Sequence, residues 1–432
     1  MPTKLFISGK NWILSLAELT SYFKARELEF EIQFFSGEFF VLSFEKDVDA
    51  SAIIDLGGTI KIGEVKTKFP TETAKEAFLK KNKQAQSQII ESLASSGIVD
   101  FMTKSSEKML FGISVYCTEN TLRSLSRNIQ RFVGSAVKNE LADLGKKSKY
   151  MGFSNLRKLA QLSHVEVLKK NLVENKAEIL FCIGRTETWV ATTVAVHNPF
   201  EFQKRDIYKP NQRKIFGMPP RLARIMVNLS SCTPGKVLLD SFCGVGTILQ
   251  EALLERAMVV GMDVNSWCVN AASENLEWLV REYGLEDANF RILLGDVSRL
   301  AEKIGQETID CIVSEPDLGP ALRQVPTGSY AERITQKLEP LYFGFVEQAY
   351  IALKPKGRLV LVTPYIKTRS GQPVTMSISE NVEQLGFKRV YAFSKDMFSQ
   401  SAGGLKRLIG TSSLIEMDER HKIGREIHIF EK

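Results

Sequence analysis

Apolar positions recur with three different rhythms along the chain. Near the amino terminus, residues 3–9 read as a strand, and Ser15–Lys24 places Leu16, Leu19 and Phe23 at helical spacing. Ser15 with Glu18 three residues on has the spacing of a capping box, which predicts the helix start at that point. Phe30–Phe44 supplies two aromatic-rich strands split by Ser36-Gly37, and Gly57-Gly58 precedes a further strand, Thr59–Val65. Together these predict a small α+β unit.

The next stretch is more polar. Ala74–Ser95 predicts one helix, Phe111–Tyr116 a strand, Thr121–Leu144 a long amphipathic helix, and Ser163–Leu172 a further helix. Ala177–Gly184 and Trp189–Val196 read as two closing strands. In 197–220 the prolines and Gly217 predict a junction that is neither continuous helix nor continuous strand. Arg221–Ser230 is then a short helix. Beyond it, apolar runs at Val237–Leu239, Met258–Met262, Arg291–Leu294 and Ile309–Val313 alternate with helical patterns. That alternation predicts an α/β domain with right-handed crossovers and a mainly parallel sheet.

Composition narrows the class. A chain of 432 residues suggests two to three domains, and 44% hydrophobic with 25% charged residues is typical of a soluble globular protein. The opening residues lack the apolar core of a secretory signal, and no apolar run approaches the roughly 20 residues a spanning helix needs. Cys117, Cys182, Cys232, Cys243, Cys268 and Cys311 are widely spaced without a C-x-x-C pair, so no metal site is expected and a reducing cytoplasm fits best.

The net charge of +7 is unevenly placed: residues 61–170 hold 20 Lys/Arg against 10 Asp/Glu. Within that block Arg123, Arg127 and Arg131 stand at four-residue spacing, hence on one face of the predicted helix, and Lys146 and Lys147 extend the basic tract. Such a stripe suits the phosphates of a polyanion, and it equally suits a solvated helix face.

The chemistry-bearing stretch is Asp240-Ser-Phe-Cys-Gly-Val-Gly-Thr247. A short buried strand ends on Asp240, Gly244 and Gly246 follow, and a helix starts near Thr247. Glycines let the backbone approach a ligand, and the crevice of a doubly wound sheet lies at the strands' carboxyl ends. Asp263 ends the second strand, 23 residues after Asp240, where an acid can accept hydrogen bonds from ribose hydroxyls. Asp296 ends the third, where it could bind an adenine amine or merely cap a helix. The fourth runs into Ser314-Glu315-Pro316-Asp317-Leu318-Gly319-Pro320. A carboxylate followed by a proline-stiffened turn can offer a side-chain oxygen and a backbone carbonyl to the N–H groups of an exocyclic base amine.

The 240–247 stretch resembles the first motif of amino-methyltransferases that use S-adenosylmethionine, written D-P-F-C-G-S-G-T, with Ser241 for its proline and Val245 for its serine. The chain as a whole resembles the THUMP-domain RNA methylases of the tRNA guanosine-10 N2-methyltransferase family. The resemblance is carried by Phe6-Ile-Ser-Gly-Lys-Asn-Trp-Ile-Leu-Ser-Leu-Ala-Glu18, Leu56-Gly-Gly-Thr-Ile-Lys-Ile62, Arg205-Asp206-Ile-Tyr-Lys-Pro210, Phe216-Gly-Met-Pro-Pro-Arg-Leu-Ala223 and Lys422-Ile-Gly-Arg-Glu-Ile427.

The resemblance implies a ferredoxin-like α+β domain at 1–66, an RNA-binding THUMP domain at 67–197, a linker at 198–220 and a Rossmann-like methyltransferase domain at 221–432. It implies S-adenosylmethionine as cofactor, with Asp240, Gly244 and Gly246 at its methionine side, Asp263 at the ribose, Asp296 at the adenine, and Phe242 and Thr247 as further cofactor-binding residues. Glu315, Pro316 and Asp317 map onto the catalytic D-P-P-Y/F-G turn, with Glu315 for Asp, Asp317 for the second proline and Leu318 for the aromatic. Lys209 and Arg213 stand where the junction usually has Arg and Asp. Arg123, Arg127, Arg131, Lys146, Lys147 and Arg205 are the expected RNA contacts. The expected partner is tRNA, with no membrane; a small activating subunit stays open, as does oligomeric state. Two rival readings stay open as well: an RNA-binding protein whose methylase domain is silent, and a DNA amino-methyltransferase.

Overall fold

Residues 1–100, 102, 109–151, 160–213, 217–400 and 408–432 are described by a computed structural model. Phe216, quoted above for the junction, lies outside them. Among the described residues the strands of 3–196 join in one eight-stranded sheet, and those from 237 onward in a second.

The first sheet starts from the expected small unit. Thr3–Ser8 lies between Phe39–Phe44 and Thr59–Pro70, antiparallel to both. Thr59–Pro70 then pairs with Glu187–Val196, which carries the sheet on through Glu178–Ile183 and Met109–Cys117 to the short edge strand Ser148–Tyr150. The long strand Thr59–Pro70 is therefore common to both halves of the sheet.

Four expectations are corrected here. The first helix is Trp12–Ala25, capped by Asn11, whose side chain accepts from Leu14 N at 3.3 Å. Ser15 and Glu18 are thus interior residues, not a capping box: the Ser15 hydroxyl donates to Gly58 O, and buried Glu18 accepts from the Gly57 and Gly58 amides at 2.7 Å each. Ala74–Ser95 is two helices, Thr71–Phe78 and Lys83–Ser95, because Lys81 takes a positive φ and Asn82 caps the second. Thr121–Leu144 likewise divides into Asn120–Arg123 and Ser126–Asp143, so Arg123 leaves the stripe of Arg127 and Arg131. The junction holds a regular helix, Pro199–Ile207: Pro199 sits in its first turn, where a missing N–H costs nothing, and Asn198 caps it.

The second sheet follows the expected alternation. Its order runs from Phe290–Leu294 through Met258–Asp263, Val237–Asp240, Ile309–Ser314 and Leu353–Ile366, all parallel. Ile423–Glu431 adds antiparallel to Leu353–Ile366 and is flanked on its far side by Lys388–Arg389. The order reverses at Val237–Asp240, which places the ligand crevice at the tips of that strand and its neighbours.

Charged side chains lie buried where the two sheets' domains meet. The helix Pro220–Leu229 packs on Trp12–Ala25. Arg224 on it is 2% exposed and donates to Glu251 (2.9 Å) and to Glu255. Arg26, at the carboxyl cap of the first helix, reaches Glu255 at 2.7 Å. Arg205, from the junction helix, reaches Glu251 at 2.6 Å. Both glutamates belong to the helix that opens at Thr247 or its immediate end. Three segments are thereby fastened to the back of the element that carries the glycine turn.

Candidate active site

At the tip of Val237–Asp240 the backbone turns sharply: Gly244 has φ +51° and Gly246 φ +83°, the left-handed region that disfavours other residues. The turn is held from three sides. Asn275 donates to Val245 O at 2.8 Å, Gly244 N donates to Asp263 Oδ2 at 2.9 Å, and Cys243 N donates to Met262 O at 3.0 Å. Thr247 accepts from Lys209 Nζ at 2.9 Å, a buried lysine of the junction whose ammonium burial drives to lower pKa. Phe242 packs edge-on against Phe345.

Asp240 is fully buried, and burial pushes its carboxyl up to about 7, against the opposing hydrogen bonds from Phe242 N and Ser314 Oγ. Ser314 also accepts from Ser241 N at 2.9 Å, so one hydroxyl joins the tips of the first and fourth strands. The Ser241 hydroxyl beside it is buried without a partner among the described residues. Asp263 is half-buried; its second oxygen accepts from Asn265 N at 2.8 Å, and the other lone pairs of both oxygens stay available. Asp296 is exposed and caps the turn Val297–Arg299 through Ser298 N at 2.8 Å, which holds its carboxyl below the usual range.

The fourth strand delivers Glu315 to the same place. A cavity of about 60 Å³ is lined by Asp240, Phe242, Gly244, Thr247 and Glu315, together with Arg213, Gly217 and Met218 of the junction. Arg425, on the antiparallel strand, grips the Glu315 carboxylate through Nε to Oε2 and through Nη2 to Oε1 at 3.2 Å, and its Nη1 reaches Glu416 at 3.2 Å. Burial works against the charge on Arg425, and the two carboxylates outweigh it, raising its pKa. Pro316 is buried. Asp317 is exposed; its side chain accepts from Gly319 N at 2.9 Å and its carbonyl from the Tyr342 hydroxyl at 3.0 Å. Leu318 packs against the core.

The structure thus brings Asp240, Phe242, Gly244, Gly246, Thr247, Asp263 and Glu315 together. Sequence reasoning missed Ser314, Asn275 and Arg425, which hold those residues. Arg425 had a signal only as part of the Lys422–Ile427 segment, with no role attached.

The basic residues fall into three groups. Arg127 and Arg131 are exposed on the helix Ser126–Asp143, and Gly134 of that helix lies so close to the Tyr150 ring that a Cβ there would stand 2.5 Å from it. The Lys146-Lys147 tract runs from the carboxyl end of that helix into Tyr150, which packs back on it. Arg123 is tied instead to Glu38 at 3.0 Å and to Cys117 O at 3.1 Å. Arg205 is corrected: it is 4% exposed, paired with Glu251 and stacked over Phe202, because its charge balances a buried carboxylate, and it offers no surface to a phosphate.

Residues 210–371 match the family model described as RMKL-like, methyltransferase domain. Over those residues the chain is similar to a methyltransferase domain. It is 36% identical over 162 residues to a tRNA (guanine(10)-N2)-dimethyltransferase of Methanothermobacter thermautotrophicus, covering 36% of this chain and 42% of that protein. A protein of the same description from Pyrococcus abyssi is 28% identical over 211 residues, 49% of this chain and 58% of that one. A U6 snRNA (guanine-N(2))-methyltransferase THUMPD2 of Bos taurus is 34% identical over 128 residues, 29% and 24% of the two chains. The chain spans about half the length of the curated relatives it matches first. The crystal structure of TrmN from Thermus thermophilus aligns over 100% of this chain and 99% of its own, with a TM-score of 0.53 at 15% identity, and so shares the fold.

The methyltransferase domain fits S-adenosylmethionine at the residues named. The two positive-φ glycines leave a cradle: a Cβ on Gly244 would meet only the Arg213 guanidinium, at 3.7 Å. The buried, unpartnered Ser241 hydroxyl and the free lone pairs of Asp263 are polar groups such a ligand would use. No helix among the described residues is long and apolar enough to cross a membrane.

Proposed function

We propose that this chain transfers a methyl group from S-adenosylmethionine to the exocyclic N2 amine of a guanosine in tRNA, with position 10 as the expected target. The observation that carries the reading is the placement of Glu315 in the same cavity as the glycine turn and Asp240. An acceptor for amine N–H groups thereby lies beside the place where a methyl donor would bind. The activities for which these relatives are named, all guanine-N2 methylations of RNA, support the substrate class.

Bound S-adenosylmethionine supplies an electrophilic methyl group. The chain's own residues do the rest. Gly244 and Gly246 admit the methionine portion close to the backbone, Asp263 accepts from ribose hydroxyls, and Asp296 takes the adenine side. Glu315 and the Pro316 carbonyl accept the N–H groups of a base turned out of its stack, aiming the amine at the methyl. Residues 67–197 are the RNA-gripping THUMP unit in this reading. Arg127, Arg131, Lys146 and Lys147 would hold phosphates without reading sequence.

A second reading, an RNA-binding protein with a silent methylase domain, is favoured by one observation: both Glu315 oxygens are engaged by Arg425. The test is incubation with unmodified tRNA and labelled S-adenosylmethionine, followed by digestion and mass spectrometry of the nucleosides. N2-methylguanosine supports transfer to guanine. A different methylated nucleoside reassigns the target, and no label despite binding of both ligands supports the silent reading.

A further inference from the structure

The Glu315 side chain is one methylene longer than the Asp that the resembling turn would carry, a difference of about 1.5 Å in reach. The structure shows what takes up that length. Arg425 meets Glu315 with two parallel N–H donors, Nε and Nη2, the fork geometry that fixes a carboxylate in plane as well as in position. Arg425 is itself held. Its strand is hydrogen-bonded on both sides, Arg425 standing opposite Pro364 in one neighbour and opposite Glu416 in the other. Its third nitrogen bonds Glu416, whose strand is fastened to the start of the first helix by Asn11 Nδ2 to Ile415 O at 2.7 Å.

We propose that Arg425 is the positioning residue of the catalytic turn, setting the Glu315 carboxylate so that its outward lone pairs accept an N–H of a guanine's exocyclic amine. The inference rests on the proposed guanine-N2 reading and adds to it the residue that makes a glutamate workable there. Each carboxylate oxygen has two lone-pair directions, so a bidentate arginine leaves one on each oxygen for the base. Without the guanidinium, three side-chain torsions leave the carboxylate free to turn from the amine. Glu416 supports the arrangement from behind, and its loss should weaken it less.

The experiment measures binding at equilibrium, so it needs no turnover. The protein with S-adenosylhomocysteine is titrated against a short single-stranded RNA holding one guanosine, and against the same strand with inosine, which lacks only the amine. One hydrogen bond to a charged group predicts roughly tenfold or greater preference for guanosine. In Arg425→Gln that ratio falls to near 1 while affinity for the inosine strand is kept, and Arg425→Lys, which keeps charge without the fork, lies between. Glu416→Gln retains most of the preference. Arg425→Gln with an unchanged ratio, or an equal loss on both strands, overturns the positioning role and leaves the guanine reading standing. No preference in the unaltered protein removes the amine reading and the role of Arg425 with it. Should Arg425→Gln fail to fold, Arg425→Lys decides: an undiminished ratio there overturns the need for the fork.

Discussion

Asn228 donates its side-chain amide to the carboxylate of Glu18 at 2.8 Å, across the seam between the amino-terminal unit and the methyltransferase domain. Glu18 is completely buried, and desolvation pushes its carboxyl up to about 7, although the Gly57 and Gly58 amides and Asn228 pull the other way. Asp240 is raised to about 7 by the same cause. In both, the folded state keeps a proton that the unfolded chain has already released, so stability falls as pH rises from about 4.5 to 7 and levels above that. Thermal unfolding between pH 4.5 and 7.5 should show this decline, and Glu18→Gln should flatten part of it. An unchanged slope in that variant would remove Glu18 as a source.

Arg224 is the centre of the buried charge cluster. Arg224→Ala would leave Glu251 with Arg205 alone and Glu255 with Arg26 alone, and removing one partner of a buried pair typically costs about 3–5 kcal/mol. The measurement is the urea midpoint. A loss below about 1 kcal/mol would mean that water enters and solvates the cluster.

Asp263 holds the Gly244 and Asn265 amides and is the expected ribose acceptor. Asp263→Ala should therefore weaken S-adenosylhomocysteine binding at least about tenfold, the loss of a hydrogen bond to a charged group. RNA affinity should stay within about twofold. Calorimetry for the cofactor and anisotropy for the RNA separate the two; parallel loss of both would contradict the proposed division between RNA-gripping and methyl-transferring parts.

Arg127 and Arg131 are exposed in the first turns of the helix Ser126–Asp143, and Lys146–Lys147 follows its carboxyl end. The double variant Arg127→Gln/Arg131→Gln should weaken RNA binding and make the logarithmic salt slope shallower by up to about 1.4, near 0.7 for each phosphate released. Arg205→Gln, by contrast, should lower stability without changing the salt slope, because that side chain is buried. Reversed behaviour would exchange their roles.

Local periodicity made most strands up to Ser314 and their alternation with helices readable, and Asp240, Asp263 and Glu315 mark the tips of three of them, whereas Leu353–Ile366 and Ile423–Glu431 were not foreseen. The glycine turn was readable from its composition: Gly244 and Gly246 take positive φ values that glycine adopts at no steric cost. Helix starts were less so. Asn11 and Ser15 both can cap, and Glu18 mimicked a capping box while serving a buried contact with Gly57, Gly58 and Asn228, 210 residues away in the last case. The polar helices broke where Lys81 and Leu125 leave helical geometry, which apolar spacing does not report. Arg205 carried charge in the right junction but pointed inward, since a single arginine looks alike whether it meets phosphate or Glu251. Arg425 was hidden by distance, 110 residues from Glu315 with no shared pattern.

The strand Ile423–Glu431 lies between Leu353–Ile366 and Lys388–Arg389 rather than at an edge. Its neighbours are synthesised earlier, so a ribosome-bound chain carries an unfilled slot in its second sheet until these residues emerge and thread in. Only then does Arg425 arrive at Glu315.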